Sequence, residues 1–250
     1  MTRLIISGIN GKMGKVLEAM CESSDSVEII GGIDVNLGVP HKFPTVSDPF
    51  ELQNKADAII DFSHHSFAPA LCNYAVKTGT PVVFATTGHT EDELKVINDT
   101  SKIVPVFKSA NMSLGVNLLT ELVKKASAVL SDFDVEIIEK HHNQKIDAPS
   151  GTALMIADSV KSVRTDGKYV FDRTKEKKKR ERNEIGIHSV RGGTIVGEHE
   201  VIFAGNNEII SISHSAQSRE IFASGAIRAA LFVAGKEPGF YNMEDLIKEL

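Results

Sequence analysis

The segment that most constrains this chain is Gly8-Ile9-Asn10-Gly11-Lys12-Met13-Gly14, a G-x-x-G-x-x-G loop close to its start. The apolar run Leu4-Ile5-Ile6 stands before it. After it, Met13, Val16, Leu17 and Met20 recur at i, i+3, i+4 and i+7, which is one face of a helix. A strand that turns on glycines into a helix opens a βαβ unit. Glycines let the chain turn tightly, let the backbone approach a pyrophosphate, and let the helix pack close to the strand. Phosphates then meet the N–H groups at the helix N-terminus. Asp34 follows the next apolar run, Val27 to Ile33, twenty residues past Gly14. A carboxylate there can bond a ribose hydroxyl. The bland alternative is a tight turn plus a strand-terminal Asp that caps a loop.

Three more apolar runs follow: Ala58 to Phe62, Pro81 to Ala85 and Ile103 to Phe107. Helical patterns separate them, one carrying Leu71, Tyr74 and Ala75, another opened by a Thr90/Glu93 capping box. The runs are continuous rather than alternating, which suits a parallel sheet covered on both faces. The expected fold is α/β, a Rossmann-type doubly wound parallel sheet. Thr86-Thr87-Gly88 closes one strand at its carboxyl end, the edge where such sheets bind ligands.

The second half changes character. Leu114, Leu118, Leu119, Leu122 and Ala126 predict a long helix, Asp134 to Glu139 a strand, and Ser150 to Val163 a helix. Ile185–Val190, Thr194–Ala204 and Glu208–His214 predict three strands joined by hairpin turns at Arg191-Gly192-Gly193 and Gly205-Asn206-Asn207. That pattern is an antiparallel meander in a second, α+β domain. Phe222 to Ala234 predicts a last helix, stopped by Gly235.

Between these elements lies Lys140-His141-His142-Asn143-Gln144-Lys145, with Ser150-Gly151-Thr152 opening the next helix. Two imidazoles, an ammonium and a helix N-terminus make an anion receptor with a proton donor attached. The alternative is a solvated loop with a helix cap. Arg173 to Arg182 holds seven Lys or Arg and two Glu and reads as a solvated loop that could gather acidic substrates. His188, His199 and His214 fall on strand candidates, but no ligand spacing supports a metal, so none is expected.

Composition excludes other classes. With 250 residues, 42% of them hydrophobic, the chain can bury a core without disulfides or structural metal. A formal charge of −5 argues against nucleic acid as the main partner. No apolar run approaches the ~18 residues of a membrane span, and the first residues lack a signal-peptide core. Cys21 and Cys72 stand alone, so a reducing cytoplasm is expected. Asp34 is followed by Val35 and Asn36, not by a cation. A 2′-phosphate would meet like charge there, which favours NADH over NADPH. Lys12, His41 and Lys42 are the cations that could fold toward such a phosphate.

The stretch from Glu136 to Leu154, with Glu139-Lys140-His141-His142-Asn143-Gln144-Lys145-Ile146-Asp147-Ala148-Pro149-Ser150-Gly151-Thr152 at its centre, resembles the signature of the dihydrodipicolinate (4-hydroxy-tetrahydrodipicolinate) reductase family. Asp61-Phe62-Ser63, Thr86-Thr87-Gly88, Gly115-Val116-Asn117, Val196-Gly197-Glu198-His199 and Phe222-Ala223-Ser224-Gly225-Ala226 match as well. The resemblance covers essentially the whole chain. It implies a dinucleotide-binding domain of residues 1–112 and 220–250, with an inserted substrate-binding and oligomerisation domain of residues 113–219. It implies homotetramers, and NAD(P)H-dependent reduction of a small dicarboxylate in diaminopimelate and lysine biosynthesis. Carried over by residue, His141 resembles the family's proton donor/acceptor and Lys145 its proton donor. His142, Ser150, Gly151 and Thr152 resemble substrate contacts. Gly8, Ile9, Asn10, Gly11, Lys12, Met13, Asp34, Ala85, Thr86, Thr87, Ser109, Ala110, Asn111 and Met112 resemble cofactor contacts. Two positions depart from the pattern. Ala85 stands where the family often has Gly, and Val35 where many members carry Arg.

Overall fold

In the computed structural model, which describes residues 1–174 and 177–250, the first apolar run becomes β1 (Thr2–Ser7). The glycine loop leads from it into α1 (Lys12–Glu22). Then follow β2 (Val27–Ile33), β3 (Thr45–Val46), β4 (Ala58–Asp61), α2 (Ala68–Thr78), β5 (Val82–Phe84), α3 (Glu91–Thr100) and β6 (Pro105–Lys108). The second half supplies α4 (Leu114–Val129), β7 (Asp134–His141), α5 (Gly151–Val163), β8 (Lys168–Val170), β9 (Glu184–Arg191), β10 (Gly197–Ala204) and β11 (Ile209–Ala216). The chain ends with α6 (Glu220–Val233), β12 (Gly239–Tyr241) and α7 (Met243–Lys248). It divides into two units, Met1–Ser113 with Glu220–Leu250, and Leu114–Arg219. Among the described residues no helix is long and apolar enough to cross a membrane.

The first unit is a seven-stranded sheet in the order β12-β6-β5-β4-β1-β2-β3, with every pairing parallel. Its first six strands run 3-2-1-4-5-6, the doubly wound order of dinucleotide-binding folds. Ile5, Ile59, Val82, Phe84 and Val106 pack with Leu71, Tyr74, Ala75 and Ile97 of α2 and α3. Helix α6 touches β4, β5, β6 and α1. Small residues let it lie close: Ala223, Ala226, Ala229 and Ala230 are fully buried. Gly225 faces the carbonyl of Met112 with no room for a Cβ. Helix α7 carries an Asn242/Asp245 capping box.

The second unit is a five-stranded sheet in the order β11-β10-β7-β9-β8. Here the expected meander is corrected. Strands β10 and β11 form the hairpin, turning through Asn207 at φ 66, a conformation Asn tolerates better than most residues. Strands β9 and β10, however, flank β7 instead of pairing with each other. β7 is parallel to β9 and antiparallel to β10. The Gly192-Gly193 link therefore crosses the end of β7, where Gly192 N–H donates to His141 O (2.9 Å) and Asn143 N–H to Gly193 O (3.2 Å). The core explains the placement of β7. Val135 and Ile137 are fully buried with Ile185, Ile187, Val201 and Phe203, under Val123 of α4 and Ile156 of α5. The buried stripe of α4 is Val116, Leu119, Val123 and Ser127. Leu118 and Leu122, expected inside, are exposed in this chain.

The basic stretch also reads differently in the structure. Lys175 and Glu176 lie outside the described residues. Of the others, Arg173 and Arg180 bind Glu136 (2.8 and 3.0 Å), and Arg180 also binds Asp134 (2.7 Å). Their charge is neutralised against β7, so these two arginines do not form a field for gathering acidic substrates.

Candidate active site

In the first unit the predicted nucleotide residues sit at the carboxyl ends of the parallel strands. Gly8 turns at φ +79, and a Cβ there would lie 2.8 Å from the carbonyl of Phe62. No side chain caps α1 at Gly11, so its first N–H groups point outward as an anion site would need. Asp34 stands after β2. One of its oxygens accepts from Asn10 N–H and the other from Asn36 N–H, both at 2.9 Å. Lone pairs on the same carboxylate remain for ribose hydroxyls. A pocket of about 490 Å³ is lined by Gly8, Asn10, Gly11, Asp34, Val35, Asn36, Ser63 and His64, among others.

Other predicted cofactor residues do not line that pocket. Ile9 is fully buried and Met112 nearly so, so each presents backbone only. Lys12 is exposed and Met13 half-buried on the first turn of α1. Ala85, Thr86 and Thr87 follow β5. The Thr86 hydroxyl donates to buried Asp61 (2.8 Å), which also accepts from the Ser63 hydroxyl (2.6 Å). Ser109, Ala110 and Asn111 follow β6, where Asn111 accepts from Ser113 N–H (2.8 Å). His41 is enclosed between Glu18 (2.8 Å) and Asn10 (2.9 Å), with its side chain 2% exposed. Lys42 is bonded to Glu22.

In the second unit the inward face of the sheet is apolar at one end and polar at the other. On β7 the inward residues run Val135, Ile137, Glu139, His141, and all are buried. On β9 they run Ile185, Ile187, Ser189, Arg191. Register places Glu139 beside Ser189 on one side and His199 on the other, and His141 beside Arg191. Glu139 is completely buried, and a charge there must be paired. Arg191 grips both of its oxygens (2.7 and 2.8 Å). His141 Nδ1 lies 2.6 Å from one oxygen, and Ser150 N–H donates to the other at 3.1 Å. Burial disfavours the ion, but hydrogen bonds from Arg191, His141, Ser189 and Ser150 outweigh it and hold the carboxyl down at about 2.

Ser150 caps α5, accepting from Ala153 N–H (3.1 Å), and its hydroxyl meets His199 Nε2 at 3.1 Å. Burial, with His141 nearby, pushes His199 down to about 4, so it is neutral near pH 7. Gly151 is exposed, and open space lies over the helix start. Thr152 follows it on the first turn, and His142 is half-buried. Lys145 pairs with Asp147 at 2.9 Å. Of the histidines considered for metal, His188 points to the opposite sheet face and binds Glu136 (2.7 Å), while His199, register partner of His214, binds Ser150. Among the described residues no group of three or more His, Cys, Asp or Glu is arranged for a metal.

The sequence reading assigned no role to Glu139 or Arg191. The signal was there: each is a charged residue on the inward phase of a strand that opens on two apolar inward positions, Val135 and Ile137 on β7 and Ile185 and Ile187 on β9.

Comparison with known proteins gives the family. The N-terminal dihydrodipicolinate reductase model matches residues 2–112 and the C-terminal model residues 115–247. A 4-hydroxy-tetrahydrodipicolinate reductase of Caldanaerobacter subterraneus subsp. tengcongensis is 56% identical over 100% of this chain and 99% of its own length. That of Clostridium novyi is 48% identical, with 99% of each chain covered. Among solved structures, a dipicolinate-bound dihydrodipicolinate reductase from Paenisporosarcina sp. TG-14 superposes with a TM-score of 0.83 at 25% identity, covering 97% of both chains. With both halves of the family matched in order and relatives alike from end to end, the chain belongs to the dihydrodipicolinate reductase family.

Proposed function

We propose that this chain is an NAD(P)H-dependent oxidoreductase that reduces 4-hydroxy-tetrahydrodipicolinate (dihydrodipicolinate) to tetrahydrodipicolinate in diaminopimelate and lysine biosynthesis. The observation that carries the reading is the polar end of the second sheet. There a buried imidazole on an ionised carboxylate, a lysine, and an open helix start lie within residues 139–152. A dianionic ring fits such a place. One carboxylate meets the Gly151 and Thr152 N–H groups, favoured by the helix dipole, and His142 adds a further polar contact.

When bound, a dihydronicotinamide would supply a hydride; the 4-hydroxy compound first loses water to give the α,β-unsaturated imine, whose ring carbon conjugate to the C=N bond receives that hydride. The electron pair moves toward nitrogen and leaves an enamine. His141 Nε2 or Lys145 Nζ then delivers a proton to the enamine carbon, which completes the tetrahydro ring. Gly197 keeps room for this: a Cβ there would sit 3.1 Å from His141 Nε2. Gly197→Ala is expected to lower kcat about tenfold by displacing the ring while thermal stability changes by only a few degrees. Unchanged kcat would contradict this role for the gap.

The residues of the first unit fit a dinucleotide, and they favour NADH. Asp34 sets a negative charge where a 2′-phosphate would lie. His41 and Lys42 are engaged elsewhere, which leaves Lys12 as the nearest candidate cation. Two like charges ~4 Å apart cost roughly 1 kcal/mol in water and more near a protein surface. Asp34→Asn, which keeps one acceptor oxygen, is therefore expected to raise the NADPH/NADH ratio of kcat/KM by about tenfold. An unchanged ratio would remove Asp34 as the discriminator. Assembly as homotetramers in the cytoplasm belongs to the same reading. Exposed Ile209 and Ile210 on edge strand β11 are apolar surface consistent with it.

The test is a coupled absorbance assay in which the preceding synthase supplies fresh substrate, with NADH and NADPH compared. Substrate-dependent loss of nicotinamide absorbance, faster with NADH, is expected. Nucleotide binding with no such loss would reduce the chain to a redox-sensing binding module.

A further inference from the structure

We propose that Glu139 is the positioning residue of this reaction: it fixes His141 in the Nδ1–H tautomer, so that the lone pair of Nε2 is the one that takes up a proton, from Lys145 or water, and passes it to the enamine carbon, and it ties that ring to the Ser150 helix start. The proposal rests on the role given to His141 above. Glu139 is completely buried, and its two oxygens accept hydrogen bonds from Arg191, His141, Ser189 and the Ser150 N–H. A carboxylate with no proton of its own can only accept. The 2.6 Å contact to His141 Nδ1 therefore requires the hydrogen on Nδ1. Nε2 has no hydrogen-bond partner among the described residues and faces the gap over Gly197.

The other oxygen of Glu139 takes the Ser150 N–H. One buried carboxylate thus holds both the imidazole and the first residue of the turn that meets the substrate. A shift of Glu139 would move proton donor and anion receptor together. Arg191 completes the device. Its two-pronged contact with Glu139, together with a bond to Asp147 O (2.6 Å), offsets the carboxylate charge at close range. Without it, an uncompensated anion would hold His141 in the imidazolium form and oppose proton release.

The charged and titratable groups around the ring are consistent with this balance. Glu139 lies on β7, Arg191 on β9, His199 on β10 and His214 on β11. His142, Lys145 and its partner Asp147 follow on the loop. Of these, Glu139 is the one that hydrogen-bonds His141 through a side chain.

The experiment has two arms. Nitrogen NMR of the full-length wild-type protein, with His141 assigned by difference against His141→Asn, reads the tautomer directly. The Nδ1–H form is expected at neutral pH, and an Nε2–H form would overturn the proposal whatever the variants do. In the kinetic arm, Glu139→Gln is expected to lower kcat roughly 10–100-fold, the usual scale for an orienting partner, with NADH affinity unchanged within about twofold. The ionisation in its kcat/KM profile should move to lower pH, because Arg191 is then uncompensated. Arg191→Met should move the same ionisation upward, by about one pH unit. Opposite shifts support positioning. A fall in kcat with the ionisation unmoved in both variants would make Glu139 a merely structural group. Loss of wild-type turnover with the cyclic substrate would instead fail the proposed function, and this inference with it.

Discussion

Lys145→Ala and His141→Gln are each expected to lower kcat with the cyclic dicarboxylate by roughly 10²–10⁴-fold, the range that positioned general acids contribute. Both residues belong to the segment that leads from β7 to α5, Lys145 paired to Asp147 and His141 anchored on Glu139. Neither belongs to the unit that carries the glycine loop, so NADH affinity should stay within about twofold of the parent. Steady-state kinetics beside a fluorescence titration of NADH separates the two quantities. A parallel loss of NADH affinity would contradict the assigned roles. If the two groups relay one proton, the double variant will be little worse than the poorer single one, because residues acting as a unit are not additive.

Gly14→Ala is expected to abolish NADH binding at concentrations that saturate the parent. A Cβ at this position would stand inside the contact distance of the carbonyl oxygens of both Gly8 and Ile9. Those atoms are backbone and cannot swing aside, so relief requires the loop or α1 to shift. Overpacking of this kind typically costs about 1–3 kcal/mol of stability. The larger consequence is displacement of the N–H groups that meet phosphate. Calorimetric titration with NADH and a thermal melt check the two effects. Full affinity with an unchanged melt would show that the helix can approach less closely without harm. Gly88→Ala is the control for glycine content: at φ +81 it carries backbone strain, but no atom lies within 4 Å of its Cβ.

The first unit was largely legible because its signals are local. A continuous apolar run, a glycine loop and a 3.6-residue period each declare one element, and parallel order follows from their alternation. The short strands β3, β8 and β12, of two or three residues, carry too few side chains to show a period. The second unit was misread at its centre because strand pairing is non-local. The pattern of β9, β10 and β11 is the same whether they form a meander or admit β7 between them. What decides is burial of Val135 and Ile137 on both flanks, and adjacency in sequence does not report that. On α4, Leu118 and Leu122 look like core by composition, yet the buried stripe runs one position aside. The reactive loop was visible as a cluster of histidines, lysine and a helix cap. Its support was hidden in single inward charges, Glu139 and Arg191, which mean nothing until the strand phase is known.

The reaction is defined by where two hydrogens go. The direct measurement is mass spectrometry and proton NMR of the product formed from NADH dideuterated at C4, in ordinary water. One deuterium is expected in each tetrahydro product molecule, on the ring carbon conjugate to the imine, and none on the neighbouring carbon protonated through His141 or Lys145. Product without deuterium, or with deuterium on the protonated carbon, would contradict this hydride transfer and the proton delivery that follows it.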